Sequence, residues 1–197
     1  MQPNRRRWTI VVPEAQTAIE NFNHQYHYDF VNVRQLAVEL FSAKAVSDAR
    51  WRELATRLGA ALRSWGAGRR QAPEVRPVAE ITAWLTDGGH QRDLRTVASA
   101  AELGSEAADE GELASALVRL YRSIAEEILK SRTQGRPGLT YCSKTLLLLT
   151  GFGPAFDSQV RAGLGHVSRR SGWAPALATK IFMVVRLDEL RAPLGMT

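Results

Sequence analysis

Apolar residues recur at helical spacing along almost the whole chain, and this period constrains the fold more than any other feature. The clearest case is Glu112–Lys130, where Leu113, Leu117, Leu120, Tyr121, Ile124 and Ile128 form one stripe. Trp51, Leu54, Ala55, Leu58, Leu62 and Trp65 repeat the pattern behind a Ser47-Asp48 cap signal. Further helices are expected after Pro13, over Val31–Ala43, Pro77–Leu85, Asp93–Glu102, Phe156–Leu164 and Trp173–Leu190, with a buried one over Thr140–Leu149. Only Trp8–Val12 reads as a strand, and no internal repeat is present. The expectation is an all-α domain of about eight helices spanning residues 1–197. If it divides into two lobes, the best breaks are Gly66–Pro73 and Asp87–Gln91.

With 197 residues and 45% hydrophobic content the chain can bury a sizeable core without covalent staples. Cys142 is the only cysteine, which excludes an internal disulfide and a cysteine zinc site. The histidines at 24, 27, 90 and 166 form no HExxH. His24 and His27 lack a carboxylate partner at helical spacing, so exposed helix-end histidines are the simpler reading and no metal or other cofactor is expected. Purely apolar runs such as Leu146–Leu149 are far short of a membrane span, and no secretory signal is recognisable. A soluble, monomeric, cytoplasmic protein is expected, nucleoid-associated if bacterial.

Charge narrows the partner. Lysine and arginine total 26 against 20 acids, and 22 of the 26 are arginine. A GC-rich genome produces such a ratio by itself; a phosphate-bearing partner is the other reading, because arginine forks onto phosphate oxygens. Ala100–Glu112 carries five acids and no base. Between Lys130 and Arg170 seven bases (Lys130, Arg132, Arg136, Lys144, Arg161, Arg169, Arg170) face one acid, Asp157. This one-sided stretch is a candidate nucleic-acid footprint.

Within it, Gly135–Leu164 (GRPGLTYCSKTLLLLTGFGPAFDSQVRAGL) holds a glycine-containing hairpin, a lysine expected to open an apolar helix, a second turn, and an aspartate heading the next helix. Gly151-Phe152-Gly153 is not a phosphate loop, since it follows a helix and lacks the P-loop lysine. The segment resembles the helix-hairpin-helix DNA glycosylases of the 8-oxoguanine type and their small relatives. Pro137 and Gly138 match the hairpin, Ser143-Lys144 the helix start, and Phe156-Asp157-Ser158-Gln159-Val160 the turn bearing the acid. The hairpin runs two residues longer than the family's before the lysine.

The resemblance implies excision of a modified or damaged base from double-stranded DNA after nucleotide flipping. Lys144 would be the Schiff-base nucleophile and Asp157 the carboxylate assisting departure of the base. Gly135 and Gly138 would bring backbone amides to a phosphate, Arg132, Arg136, Arg161, Arg169 and Arg170 would hold flanking phosphates, and Tyr141, Ser143 and Ser158 would complete the contact surface. Tyr141, Phe152, Trp173 and Trp65 are the aromatic candidates for stacking on the base or wedging the gap. Three readings stay open: a glycosylase with or without lyase activity, a silent DNA-binding module on the same scaffold, and a helical protein-interaction domain.

Overall fold

The computed structural model describes residues 24–103, 110–132 and 139–152. Six α-helices occur among them: α1 (His24–Ser42), α2 (Asp48–Ser64), α3 (Val78–Thr86), α4 (Gly88–Leu103), α5 (Glu110–Ser123) and α6 (Leu139–Thr150). The described part is mostly helical, as the periodicity requires. None of its helices is long and apolar enough to cross a membrane. The expected elements at Trp8–Val12, after Pro13, at Phe156–Leu164 and at Trp173–Leu190 lie outside the described residues.

The apolar stripes become one core. Val33, Leu36, Ala37, Leu40 and Phe41 bury one face of α1, and Trp51, Leu54, Ala55, Leu58 and Leu62 bury one face of α2. The same cluster continues through Ile81, Trp84, Leu94, Leu120 and Ile128 to Leu149 and Phe152. It therefore runs uninterrupted across both the 66–73 turn and the 87–91 junction. Helix α6 packs against α1, α2, α4 and α5. Cys142, Leu146, Leu148 and Leu149 point into the core, so a largely apolar α6 is enclosed on most sides. Between α4 and α5, the Arg119 guanidinium donates twice to the buried Asp93 carboxylate, Nε and Nη2 each at 2.8 Å.

Several boundaries differ from the sequence expectation for identifiable reasons. Helix α1 starts seven residues before Val31, and His24 and His27 lie exposed in its first turn. Ser47 takes the extended N-cap conformation, but its side chain makes no capping bond; its carbonyl accepts from the Arg50 and Trp51 amides. Asp87-Gly88-Gly89 ends α3 and at once begins α4, five residues earlier than Asp93. Asp87 Oδ1 accepts from the Gly89 amide at 2.9 Å and the His90 amide at 3.0 Å, an N-cap that outweighs the poor helix propensity of two glycines.

The largest correction concerns Glu112–Lys130, which does not stay α-helical to its end. Helix α5 passes into a π-helical turn over Ile124–Ile128, then a short strand β2 (Leu129–Lys130), which pairs antiparallel with β1 (Glu74–Val75). The Arg76 amide donates to the Ile128 carbonyl at 2.9 Å, and Arg76 Nη2 reaches the Glu126 carbonyl at 2.8 Å. Carbonyls released by the widened turn are thus taken by a residue about fifty positions away. A helical stripe carries no trace of that partner.

Candidate nucleic-acid interface

Helix α2 ends in a paired hydrogen-bond motif that shapes the neighbouring surface. The Ala67 amide reaches back to the Leu62 carbonyl at 2.9 Å and the Gly66 amide to Arg63 at 3.0 Å. Gly66, at φ +98°, occupies the left-handed position that this termination requires. The chain then folds tightly: Gly68 donates to Pro73 at 2.8 Å and Ala72 to Arg69 at 2.8 Å. Arg69 and Arg70 are left exposed on the turn.

Trp65, only 9% exposed, is fixed at both ends. Its indole Nε1 donates to Asp29 Oδ2 of α1 at 3.1 Å, and its carbonyl accepts from Lys144 Nζ of α6 at 3.0 Å. Asp29 Oδ1 accepts from Gln25 at 2.8 Å. The Lys144 ammonium lies 4.9 Å from the Tyr141 ring centroid and 5.9 Å from that of Trp65, a cation–π arrangement. Tyr26 of α1 packs on Trp65 with centroids 5.5 Å apart and planes inclined by 60°. Burial chiefly, and then the neighbouring Tyr26, push the Tyr141 phenol above its ordinary range, while Arg69 pulls it back. The Tyr141 hydroxyl lies 3.1 Å from where a Cβ on Gly66 would stand, and the Gly66 carbonyl accepts from the Arg69 amide at 3.2 Å, so the turn backbone and Tyr141 are neighbours.

Lys144 does not open its helix. Helix α6 begins at Leu139, so Lys144 sits in the second turn, beyond the reach of the terminal dipole. Its amine is engaged by a carbonyl acceptor and two ring faces, which are partners for an ammonium. Ser143 is 1% exposed and donates to the Thr140 carbonyl at 2.8 Å, so its hydroxyl is enclosed within the fold rather than presented at the surface. Phe152 is buried in the core. Tyr141, half-buried, stands beside Lys144 as part of the aromatic cluster.

Arg132 is exposed and binds the first turn: Nη1 donates to the Arg70 carbonyl at 3.2 Å, and Nη2 and Nε reach Glu74 Oε1 at 2.8 and 3.1 Å. This contact and the β1–β2 pair bring Arg69, Arg70, Lys130 and Arg132 onto one edge, with Glu74 as the acid among residues 69–75 and 129–132. Gly135, Arg136, Gly138, Asp157, Ser158, Arg161, Arg169 and Arg170 lie outside the described residues.

Periodicity and charge runs do not single out Tyr26, Asp29, Arg69 and Arg70, which the fold brings to this surface. The one signal in the sequence is the Gly66-Ala67-Gly68-Arg69-Arg70 run, in which glycines that permit a tight turn precede two adjacent arginines. One chemistry is disfavoured by the geometry. Burial pushes the Cys142 thiol up to about 12, so it is not a thiolate nucleophile. Among the described residues, no group of three or more histidine, cysteine, aspartate or glutamate side chains is arranged to hold a metal ion. No protein-family model, curated protein or solved structure matches this chain.

Proposed function

We propose that this chain is a helical DNA-binding domain whose phosphate-contacting edge is formed by the 66–73 turn, the β1–β2 pair and Arg132. The observation that carries this reading is the hydrogen bond from Arg132 to the Arg70 carbonyl. It joins basic segments some sixty residues apart into one surface, as a polyanionic partner requires. Exposed Arg69 and Arg70 supply forked donors to phosphate oxygens, Arg132 holds the edge together through Glu74 and the Arg70 carbonyl, and Lys130 adds a further cation on the same strand pair. The Lys144 contacts support binding rather than excision through that amine, because a Schiff-base nucleophile must present a free, deprotonated nitrogen.

A salt titration of DNA affinity tests the proposal. Each phosphate neutralised contributes close to one unit to the slope of log K against log salt. Arg69→Ala with Arg70→Ala should lower the slope by roughly one for each phosphate that is no longer neutralised, and weaken binding irrespective of sequence. Unchanged slope and affinity in the double variant would remove this edge as the interface. Borohydride trapping on lesion-bearing duplexes addresses the family-implied chemistry: the binding reading expects no adduct, and an adduct abolished by Lys144→Gln would restore the glycosylase.

A further inference from the structure

We infer that Tyr26, braced by Trp65, is a stacking platform for an unpaired base, so that the DNA held by this edge is single-stranded. The inference rests on the proposed DNA binding and deepens it. Tyr26 is 39% exposed, and its ring packs on a core tryptophan. Its support is rigid, because Trp65 is held through its indole by α1 and through its carbonyl by α6. A pre-positioned ring of this kind loses little freedom when a planar ligand covers it. The charge beside it identifies that ligand. Four residues beyond Trp65, Arg69 lies on the exposed turn with its amide donating to the Gly66 carbonyl at 3.2 Å, and Arg70 follows it. A partner satisfying both features carries flat apolar faces on an anionic backbone. In a duplex the base faces are covered by their stacked neighbours; in a single strand they are available, and an aromatic ring accepts any base.

The experiment measures anisotropy of the full chain with three labelled probes of equal length: a thymine single strand, the same backbone with abasic sites, and a duplex. The wild-type chain should prefer the thymine strand to the abasic one. Tyr26→Ala should weaken thymine-strand binding by about five- to a hundredfold, the scale of removing one base–aromatic stack, and bring it to the abasic level. It should leave abasic and duplex affinity unchanged. Tyr26→Phe should keep the preference, since the ring rather than the hydroxyl carries it. Equal losses on the thymine and abasic strands, or no wild-type preference between them, would overturn the platform. Wild-type binding to duplex alone would overturn it while leaving the DNA-binding proposal intact. Binding to none of the probes at low salt would remove both.

Discussion

Replacing Gly66 by alanine tests how the candidate interface is built, and Gly68→Ala supplies its internal reference. Both glycines have positive φ, +98° and +79°. An L-residue forced into the left-handed region costs about 1–2 kcal/mol. A Cβ on Gly68 meets nothing within 4 Å, so Gly68→Ala isolates that backbone cost. A Cβ on Gly66 lies 3.1 Å from the Tyr141 hydroxyl, and φ there is further from the left-handed minimum. Gly66 also positions the two hydrogen bonds that end α2, each contributing about 1 kcal/mol net. Gly66→Ala should therefore destabilise by roughly 1 kcal/mol more than Gly68→Ala. In a domain of this size 1 kcal/mol moves Tm by about 2–4 °C. Reversible urea and thermal unfolding followed by far-ultraviolet circular dichroism measures both variants. Gly68→Asn should recover part of the loss, because asparagine visits the left-handed region more readily than alanine. If Gly66→Ala is no worse than Gly68→Ala, the tight Gly66–Tyr141 approach does not constrain the surface.

Other consequences follow from single interactions. Leu58→Ala, at a fully buried position of α2, should cost about 2–5 kcal/mol in urea unfolding, through the missing transfer energy and the cavity left behind. The backbone amide of His90 foremost, then the nearby His90 side chain and the Gly89 amide, hold the Asp87 carboxyl below its ordinary value. A depressed carboxyl stabilises the fold above its unfolded pKa and loses that contribution as pH falls through the folded one. Asp87→Asn should accordingly flatten the acid limb of Tm against pH below the usual carboxylate range, while still capping α4. Because its thiol is buried and pushed up to about 12, Cys142 should resist a thiol-specific reagent in the folded protein and react fully once unfolded. Rapid labelling of native protein at neutral pH would show that α6 is not packed as described.

Local chemistry made the helices legible. The spacing of Trp51, Leu54, Ala55, Leu58 and Leu62 has only one economical solution, a helix burying that face, and α2 follows it within the expected span. The two glycines and the proline of 66–73 likewise announced a chain reversal. Glu112–Lys130 shows where such reading stops: Ile124, Ile128 and Leu129 are apolar and buried, and an apolar stripe of this kind does not separate an α-helix from a π-turn followed by a strand. Long-range hydrogen bonds from Arg76 and the pairing of Leu129 with Val75 make that choice.

The candidate interface divides in the same way. The excess of positive charge and the aromatic content of the chain are composition, written in the sequence and independent of folding. Which charges become neighbours depends on the core that sets the helices side by side. Lys144, read alone, belonged to a helix start; in the fold its amine meets a carbonyl that ends a different helix, 79 residues away in the chain. Tyr26 gained its place because α1 packs on α2, and Arg132 met Arg70 because two short strands paired. Helical periodicity follows from contacts between near neighbours in the chain, so the sequence determines it; the grouping of Tyr26, Trp65, Arg69, Arg132 and Lys144 follows from the packing of segments distant in the chain, and only the tertiary structure decides it.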